Sequence, residues 1–204
     1  MKSKDIRLDH EVITELIEPR SSVLDLGCGA GELLYRLVKE KNVQGQGIEI
    51  DENAIYKCVA KGLNVFHGDV DSGLADFKDK AFDYVILNQS LQQVRGADKV
   101  LIDSLRVGKQ VIVGFPNFAH LPARCQIFFR GKTPVTRALP YVWAETPNLH
   151  FFSIVDFTDY CRAQGIRIER KVFLGKKHRI HLFPNVFADT GIILISRASP
   201  HEAV

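Results

Sequence analysis

The stretch Val23-Leu24-Asp25-Leu26-Gly27-Cys28-Gly29-Ala30-Gly31-Glu32 constrains this chain more than any other, because an apolar run passes through three alternate glycines into a helical pattern. Glycine has no Cβ and takes positive φ freely, so such a turn lets main chain come close to a ligand. The helix that follows offers unpaired N–H groups at its start. Strand, glycine turn and helix in this order read as the opening unit of a nucleoside-binding α/β sheet.

Spacing selects among nucleoside ligands. A dinucleotide fold requires G-x-G-x-x-G, with the pyrophosphate on the helix N-terminus. Here the third glycine falls at Gly31, and Glu32 stands at the helix entrance. A carboxylate there suits the helix dipole but repels a pyrophosphate. Asp25, ahead of the loop, adds to the mismatch. A cationic ligand without phosphates fits better, and S-adenosylmethionine carries an ammonium, a sulfonium and a single carboxylate. The pattern Asp25-x-Gly27-x-Gly29-x-Gly31 resembles the first motif of class I S-adenosylmethionine-dependent methyltransferases, which makes that cofactor, or its product S-adenosylhomocysteine, the leading expectation.

The rest of the chain alternates strands with helical connections. Asp9 is placed to cap a helix carrying Val12, Ile13, Leu16 and Ile17, which Pro19 stops. Strands are expected at 23–26, 46–50, 64–67, 82–87 and 111–115, with a helix through Leu33, Leu34, Leu37 and Val38 and another opened by Asp51 and closed at Gly62. Parallel neighbours need crossovers, so the pattern predicts a mostly parallel sheet covered on both faces. After Pro116 the period is lost, and 117–150 reads as an insertion roofing the sheet's carboxyl edge within a single domain. Ser153-Ile154-Val155-Asp156 forms an acidic capping box for a helix ending before Gly165. Two late strands, 166–174 and 191–196, flank a basic loop.

Acidic and amide residues recur at the predicted carboxyl ends of successive strands, where open α/β sheets bind ligands. Glu49 ends the second strand, where a carboxylate can accept both ribose hydroxyls. Asp69, after Gly68, can take the exocyclic amine of adenine, with Ile50 and Val70 packing on the ring. Asn88 and Gln89 end the fourth strand with amides. Asp25, Gly27, Cys28, Gly29, Gly31, Glu49, Ile50, Asp69, Val70, Asn88 and Gln89 are therefore the expected cofactor-binding residues.

Composition narrows the classes. The chain has 204 residues, 46% of them hydrophobic, and a formal net charge of +3, which suits one substantial domain and gives no electrostatic case for nucleic acid. The loop Gly175-Lys176-Lys177-His178-Arg179-Ile180-His181 is basic but lacks interleaved aromatics for stacking on bases, and reads as a solvated hairpin tip. Cys28, Cys58, Cys125 and Cys161 have no C-x-x-C pairing or ligand spacing for metal, consistent with reduced thiols. The charged N-terminus and the absence of a long apolar stretch lead to the expectation of a cytoplasmic chain that does not enter a membrane.

Phe115-Pro116-Asn117-Phe118-Ala119-His120, Leu139-Pro140-Tyr141-Val142-Trp143 and Glu145-Thr146-Pro147-Asn148-Leu149-His150 resemble signatures of the methionine biosynthesis protein MetW family. Gln89-Ser90-Leu91-Gln92-Gln93 and Arg124-Cys125-Gln126 are similar to it too. The chain departs at Ala144-Glu145, where an aromatic-Asp pair is usual, and at Ala119, where glycine is common. The resemblance implies a Rossmann-like class I methyltransferase fold, seven strands with a closing antiparallel pair. It also implies a role beside homoserine O-acyltransferase, as an accessory or sensing partner. The alternative is a small-molecule methyltransferase. No catalytic residue is singled out: His120, Tyr141, Asn148 and His150 are candidates to orient a substrate, but structural or partner-facing roles suit them better.

Overall fold

The computed structural model describes residues 7–72 and 74–198, so the charged segment 1–6 considered above lies outside the described residues. Helix α1 (Leu8–Leu16) precedes β1 (Ser22–Leu26), α2 (Glu32–Lys41), β2 (Gln44–Glu49), α3 (Glu52–Ala60), β3 (Asn64–His67) and β4 (Phe82–Asn88). Then come α4 (Ala97–Val107), β5 (Gly108–Pro116), α5 (Leu121–Arg130), α6 (Ile154–Ala163), β6 (Ile166–Leu174), α7 (Pro184–Phe187) and β7 (Thr190–Arg197). The sheet order is β3-β2-β1-β4-β5-β7-β6, with β7 antiparallel to both neighbours and the other pairs parallel. This is the expected mostly parallel seven-stranded sheet with a closing antiparallel pair.

Both faces of the central strands are buried, as parallel pairing with helical crossovers demands. Leu24, Leu26, Val85, Leu87, Val113 and Phe115 face one core with Val100 and Leu101 of α4 and Ile154 and Phe157 of α6. Their alternates Val23, Ile86 and Ile112 face the other, with Val12 and Ile13 of α1 and Leu33 and Leu37 of α2. The chain runs outward from β1 to β3 and then crosses back to β4, so the loops after β1 and β4 diverge and leave a crevice at the carboxyl edge.

The local signals differ in how well they predict their elements. Asp51 accepts the Asn53 N–H at 2.9 Å and caps α3 as expected. Ser153 and Asp156 form both halves of the capping box on α6. Asp9 does not cap α1: the helix starts at Leu8, and the Asp9 carboxylate instead takes Asn88 Nδ2 at 3.0 Å and the Arg7 guanidinium at 2.6 Å. Strand β2 spans Gln44–Glu49 rather than 46–50, because Gln44 and Gly45 already pair with Ser22 and Val23. Within 117–150 the sequence pattern gave no helix, yet α5 spans ten residues. Its only buried residue is Ala123, and Phe128 and Phe129 stand exposed, so no buried apolar face marks it. Pro122 sits in its first turn, where a missing N–H costs nothing. The segment joining β6 to β7 is not a bare basic hairpin tip, since it also contains α7. No helix among the described residues is long and apolar enough to cross a membrane.

Phe115 is fully buried, with ring centroids 4.8 Å from Phe152 and 5.1 Å from Phe157, and it ties β5 to α6. Phe115→Ala should destabilise the fold by about 3–5 kcal/mol. The expected readout is a lower urea midpoint at unchanged m-value.

Candidate functional site at the carboxyl edge

The loop after β1 is built on left-handed backbone, with φ of 73° at Gly27, 55° at Gly29 and 74° at Gly31. One carboxylate holds it. Glu49 Oε2 accepts the Gly29 N–H at 2.7 Å, while Oε1 accepts the N–H groups of Ile50 at 2.8 Å and Asp51 at 3.0 Å. From the other side the Gly29 carbonyl takes the thiols of Cys58 at 3.2 Å and Cys28 at 3.8 Å. Burial pushes both thiols above their ordinary pKa, which keeps them protonated donors. A Cβ on Gly29 would meet nothing within 4 Å, so this peptide presents open backbone. Gly31 has a different role: a Cβ there would lie 2.5 Å from Leu63 and 2.8 Å from the Cys58 sulfur, so this glycine lets α2 pack on α3.

A cleft of about 700 Å³ opens over this loop. Every residue expected at the cofactor lines it except Gly31. Asp25 enters from β1, Glu49 and Ile50 from the end of β2, Asp69 and Val70 from the turn after β3, and Asn88 and Gln89 from the end of β4. Asp69 Oδ1 accepts the Asp71 N–H at 2.9 Å, and the Asp71 carboxylate in turn accepts the N–H groups of Arg95 and Gly96, each at 2.9 Å. Five carboxyl side chains (Asp25, Glu32, Glu49, Asp69 and Asp71) face two guanidinium groups, Arg7 and Arg95. The cleft is acidic, and its polar main chain comes from positive-φ turns.

Several cleft residues have no local signature in the sequence. Arg7 just before α1 and His10 within it reach the cleft, as do Pro147 and Leu149 from the long segment before α6. Burial lowers the pKa of His10 and favours the neutral ring. Burial also works to raise the Asp9 pKa, but hydrogen bonds from Arg7 and Asn88 outweigh it and hold the carboxyl below its usual value. Segment 147–150 is hung on one carbonyl, since Gln92 O accepts the N–H groups of Leu149 at 2.8 Å and His150 at 3.0 Å. Gln89 adopts φ 62°, an unusual conformation for a residue with a Cβ. Of the loop candidates, His120 is buried with a ring nitrogen 2.8 Å from Asn117 O, and His150 Nε2 lies 3.3 Å from Arg95 O. Tyr141 and Asn148 line a separate cleft. Among the described residues no three His, Cys, Asp or Glu side chains are grouped to hold a metal ion.

A mostly parallel sheet with an antiparallel closing pair, carrying an acidic crevice at the β1–β4 switch, defines a Rossmann-like class I methyltransferase fold. Solved structures agree on the fold. An S-adenosylmethionine-dependent methyltransferase from Archaeoglobus fulgidus superposes with a TM-score of 0.66 at 17% identity, covering 92% of this chain and 94% of that one. The [4+2]-cyclase SpnF matches with a TM-score of 0.66 at 16% identity, over 92% of this chain and 80% of that one. The sequence gives the narrower assignment: residues 7–195 match the model of the methionine biosynthesis protein MetW, and the chain belongs to that family. The bifunctional methionine biosynthesis protein MetXA/MetW of Rhodopirellula baltica is 34% identical over 94% of this chain, which spans only 33% of that relative's length.

Asp25 gives the site a pH signature. Burial, with the Glu49 carboxylate adding to it, raises the Asp25 pKa from 3.8 to about 7. The folded chain therefore keeps a proton that the unfolded chain releases, and this contribution is full below the unfolded pKa and lost as pH rises through about 7. Asp25→Asn should flatten the decline in stability between about pH 4 and pH 7. Urea midpoints measured across that range for both proteins check it.

Proposed function

We propose that the β1–β4 cleft binds S-adenosylmethionine or S-adenosylhomocysteine, and that this occupancy lets the protein act as an accessory or sensing partner of homoserine O-acyltransferase. The observation that carries the first part is the acidic, phosphate-averse lining around open glycine backbone. A sulfonium and an ammonium are favoured by the carboxyl groups that line the cleft, whereas a pyrophosphate is repelled. Glu49 has the position to accept ribose hydroxyls beside its backbone donors, since a carboxylate offers about four acceptor sites. Asp69 has the position for an adenine amine, with Ile50 and Val70 as apolar contacts. Asn88 and Gln89 stand at the edge where the methionine part would lie.

The partner role rests on the family and on the fused relative, which carries MetXA and MetW parts in one polypeptide. Neighbours on this fold include both a methyltransferase and a cyclase, so the fold does not fix the reaction. One observation favours a catalytic reading as the alternative: His10, its pKa lowered, lines the same cleft and can accept a proton from an acceptor group. S-adenosylmethionine supplies a methyl group on a sulfonium, and its transfer otherwise demands positioning alone.

Calorimetry on the purified chain should show binding of S-adenosylhomocysteine, weakened about tenfold or more by Glu49→Gln. An absence of binding would refute the cofactor reading. In a pull-down with homoserine O-acyltransferase, capture that changes on adding S-adenosylmethionine is the expected sensing result, and identical absence of capture in both arms would sink the partnership. Labelled methyl transfer to a small molecule at enzymatic rates would instead establish the catalytic alternative.

A further inference from the structure

Helix α5 carries its apolar face outward. Leu121, Cys125, Phe128 and Phe129 recur at i, i+4, i+7 and i+8, the spacing of one apolar stripe. At about 100° per residue that stripe lies opposite Ala123, the one buried residue of the helix, and so points away from the sheet. Phe128 and Phe129 are 82% and 77% exposed, with their rings edge to face at 4.9 Å. An isolated helix shorter than about 12–15 residues is marginal in water. This one has ten residues and almost no buried face to hold it.

The loop that follows extends the same surface. The Gln126 side chain donates to Val135 O at 2.9 Å and accepts from Val135 N at 3.0 Å, which pins the loop against the helix. Pro134, beside Val135, shares a small hollow with Tyr141, Trp143 and Phe151, and Trp143 is 77% exposed. Three aromatics this bare, at about 150–250 Å² each, with the half-exposed Leu121, Tyr141 and Val142 around them, approach the roughly 800 Å² that one partner gives to a standard interface. The surface also reaches the cofactor cleft: Pro147 and Leu149 line that cleft, and Phe151 stacks on Phe118 at 5.1 Å, just ahead of α5.

Charge selects the occupant. Residues 117–144 contain four Lys or Arg and no Asp or Glu. Arg137 is paired with Asp189, but Arg124, Arg130 and Lys132 are exposed and have no ion-pair partner among the described residues. A second copy docked face to face would set these cations against their own counterparts, which like-charge repulsion opposes. A groove that is apolar at its centre and acidic at its rim has the complementary pattern, and a helical stripe of this spacing is what such a groove receives. We infer that α5 and the loop 133–143 form the face on which homoserine O-acyltransferase docks, with Phe128, Phe129 and Trp143 as apolar anchors and Arg124, Arg130 and Lys132 meeting carboxylates around them. The inference rests on the partnership proposed above, and it gives that partnership a surface one short segment away from the cofactor cleft.

The test titrates the full chain against purified homoserine O-acyltransferase of the same organism by calorimetry, with and without S-adenosylmethionine. Phe128→Ser/Phe129→Ser, confined to exposed side chains, should weaken the complex about tenfold or more and leave the urea midpoint unchanged. Arg130→Glu/Lys132→Glu should weaken it about fivefold or more in low salt and flatten its salt dependence. Tyr56→Ser/Val59→Ser, also exposed but on α3, should leave it within about twofold. Hydrogen exchange at the α5 amides should slow in the complex. If the aromatic variant binds the acyltransferase as tightly as the unaltered chain, the docking face is overturned while the partnership stands. The face is likewise overturned if α5 serves another occupant, seen when the chain alone self-associates, or binds vesicles of anionic phospholipid or single-stranded RNA, and the aromatic variant abolishes it. If the unaltered chain does not bind the acyltransferase in either arm, the partnership itself fails and the docking face with it.

Discussion

The Glu49 carboxylate is the interaction on which the carboxyl edge depends. It reaches from the end of β2 to the Gly29 peptide of the neighbouring loop while also capping the turn at Ile50 and Asp51. Three backbone N–H groups on two different turns are thus satisfied by one buried side chain, 9% exposed. Hydrogen bonds to a charged acceptor are worth about 1.5–3 kcal/mol each, enough to hold residues in left-handed backbone that would otherwise sample other states. The Cys28 and Cys58 thiols donate to the carbonyl of the same residue, in the next peptide group along. Gly29 is consequently held from both sides with its open face left toward the cleft.

That local clamp matters because of where the topology puts it. The β1–β4 switch separates the loops after those two strands, and the crevice between them is lined by side chains from the ends of β1, β2, β3 and β4. The antiparallel β7 lies beside β5 and carries Asp189 immediately before its start, at the same edge. One edge of one sheet therefore hosts both clefts, divided by the 88–93 loop. Strain and unmet hydrogen bonding gather in that divider: Gln89 is left-handed, and Asn88 Oδ1, Ser90 Oγ and Gln92 Oε1 are buried without partners. Such features concentrate where a protein meets ligands, since a packed core without function would have relieved them.

The readability of this sequence follows from the range of the interactions. Strand positions, the Asp51 cap, the Ser153–Asp156 box and the three positive-φ glycines are local, and residue type and spacing reveal them directly. Glu49 and Asp69 are legible because the strand period fixes where each strand ends. Asp9 misled for a physical reason: an acidic residue before an apolar face looks like a cap, but its partner Asn88 lies 79 positions away, and nothing local announces that contact. The same holds for Arg7, His10 and Leu149 in the cleft. Helix α5 was hidden because it buries one residue and so lacks the periodic buried face by which helices are read. Gly31 shows a subtler limit, for a conformational glycine and a ligand-facing one look alike in sequence, and only the neighbours Leu63 and Cys58 tell them apart.

Charge accounts for the kind of ligand this edge can take better than fold does. The same fold carries a methyltransferase and a cyclase, so the sheet alone is silent on chemistry. An acidic cleft with a protonatable Asp25 at its base disfavours phosphate groups and favours a cation, and a bound cation would itself stabilise the ionised Asp25. Binding and deprotonation of Asp25 are therefore linked, so that affinity for a cation rises as pH rises through about 7.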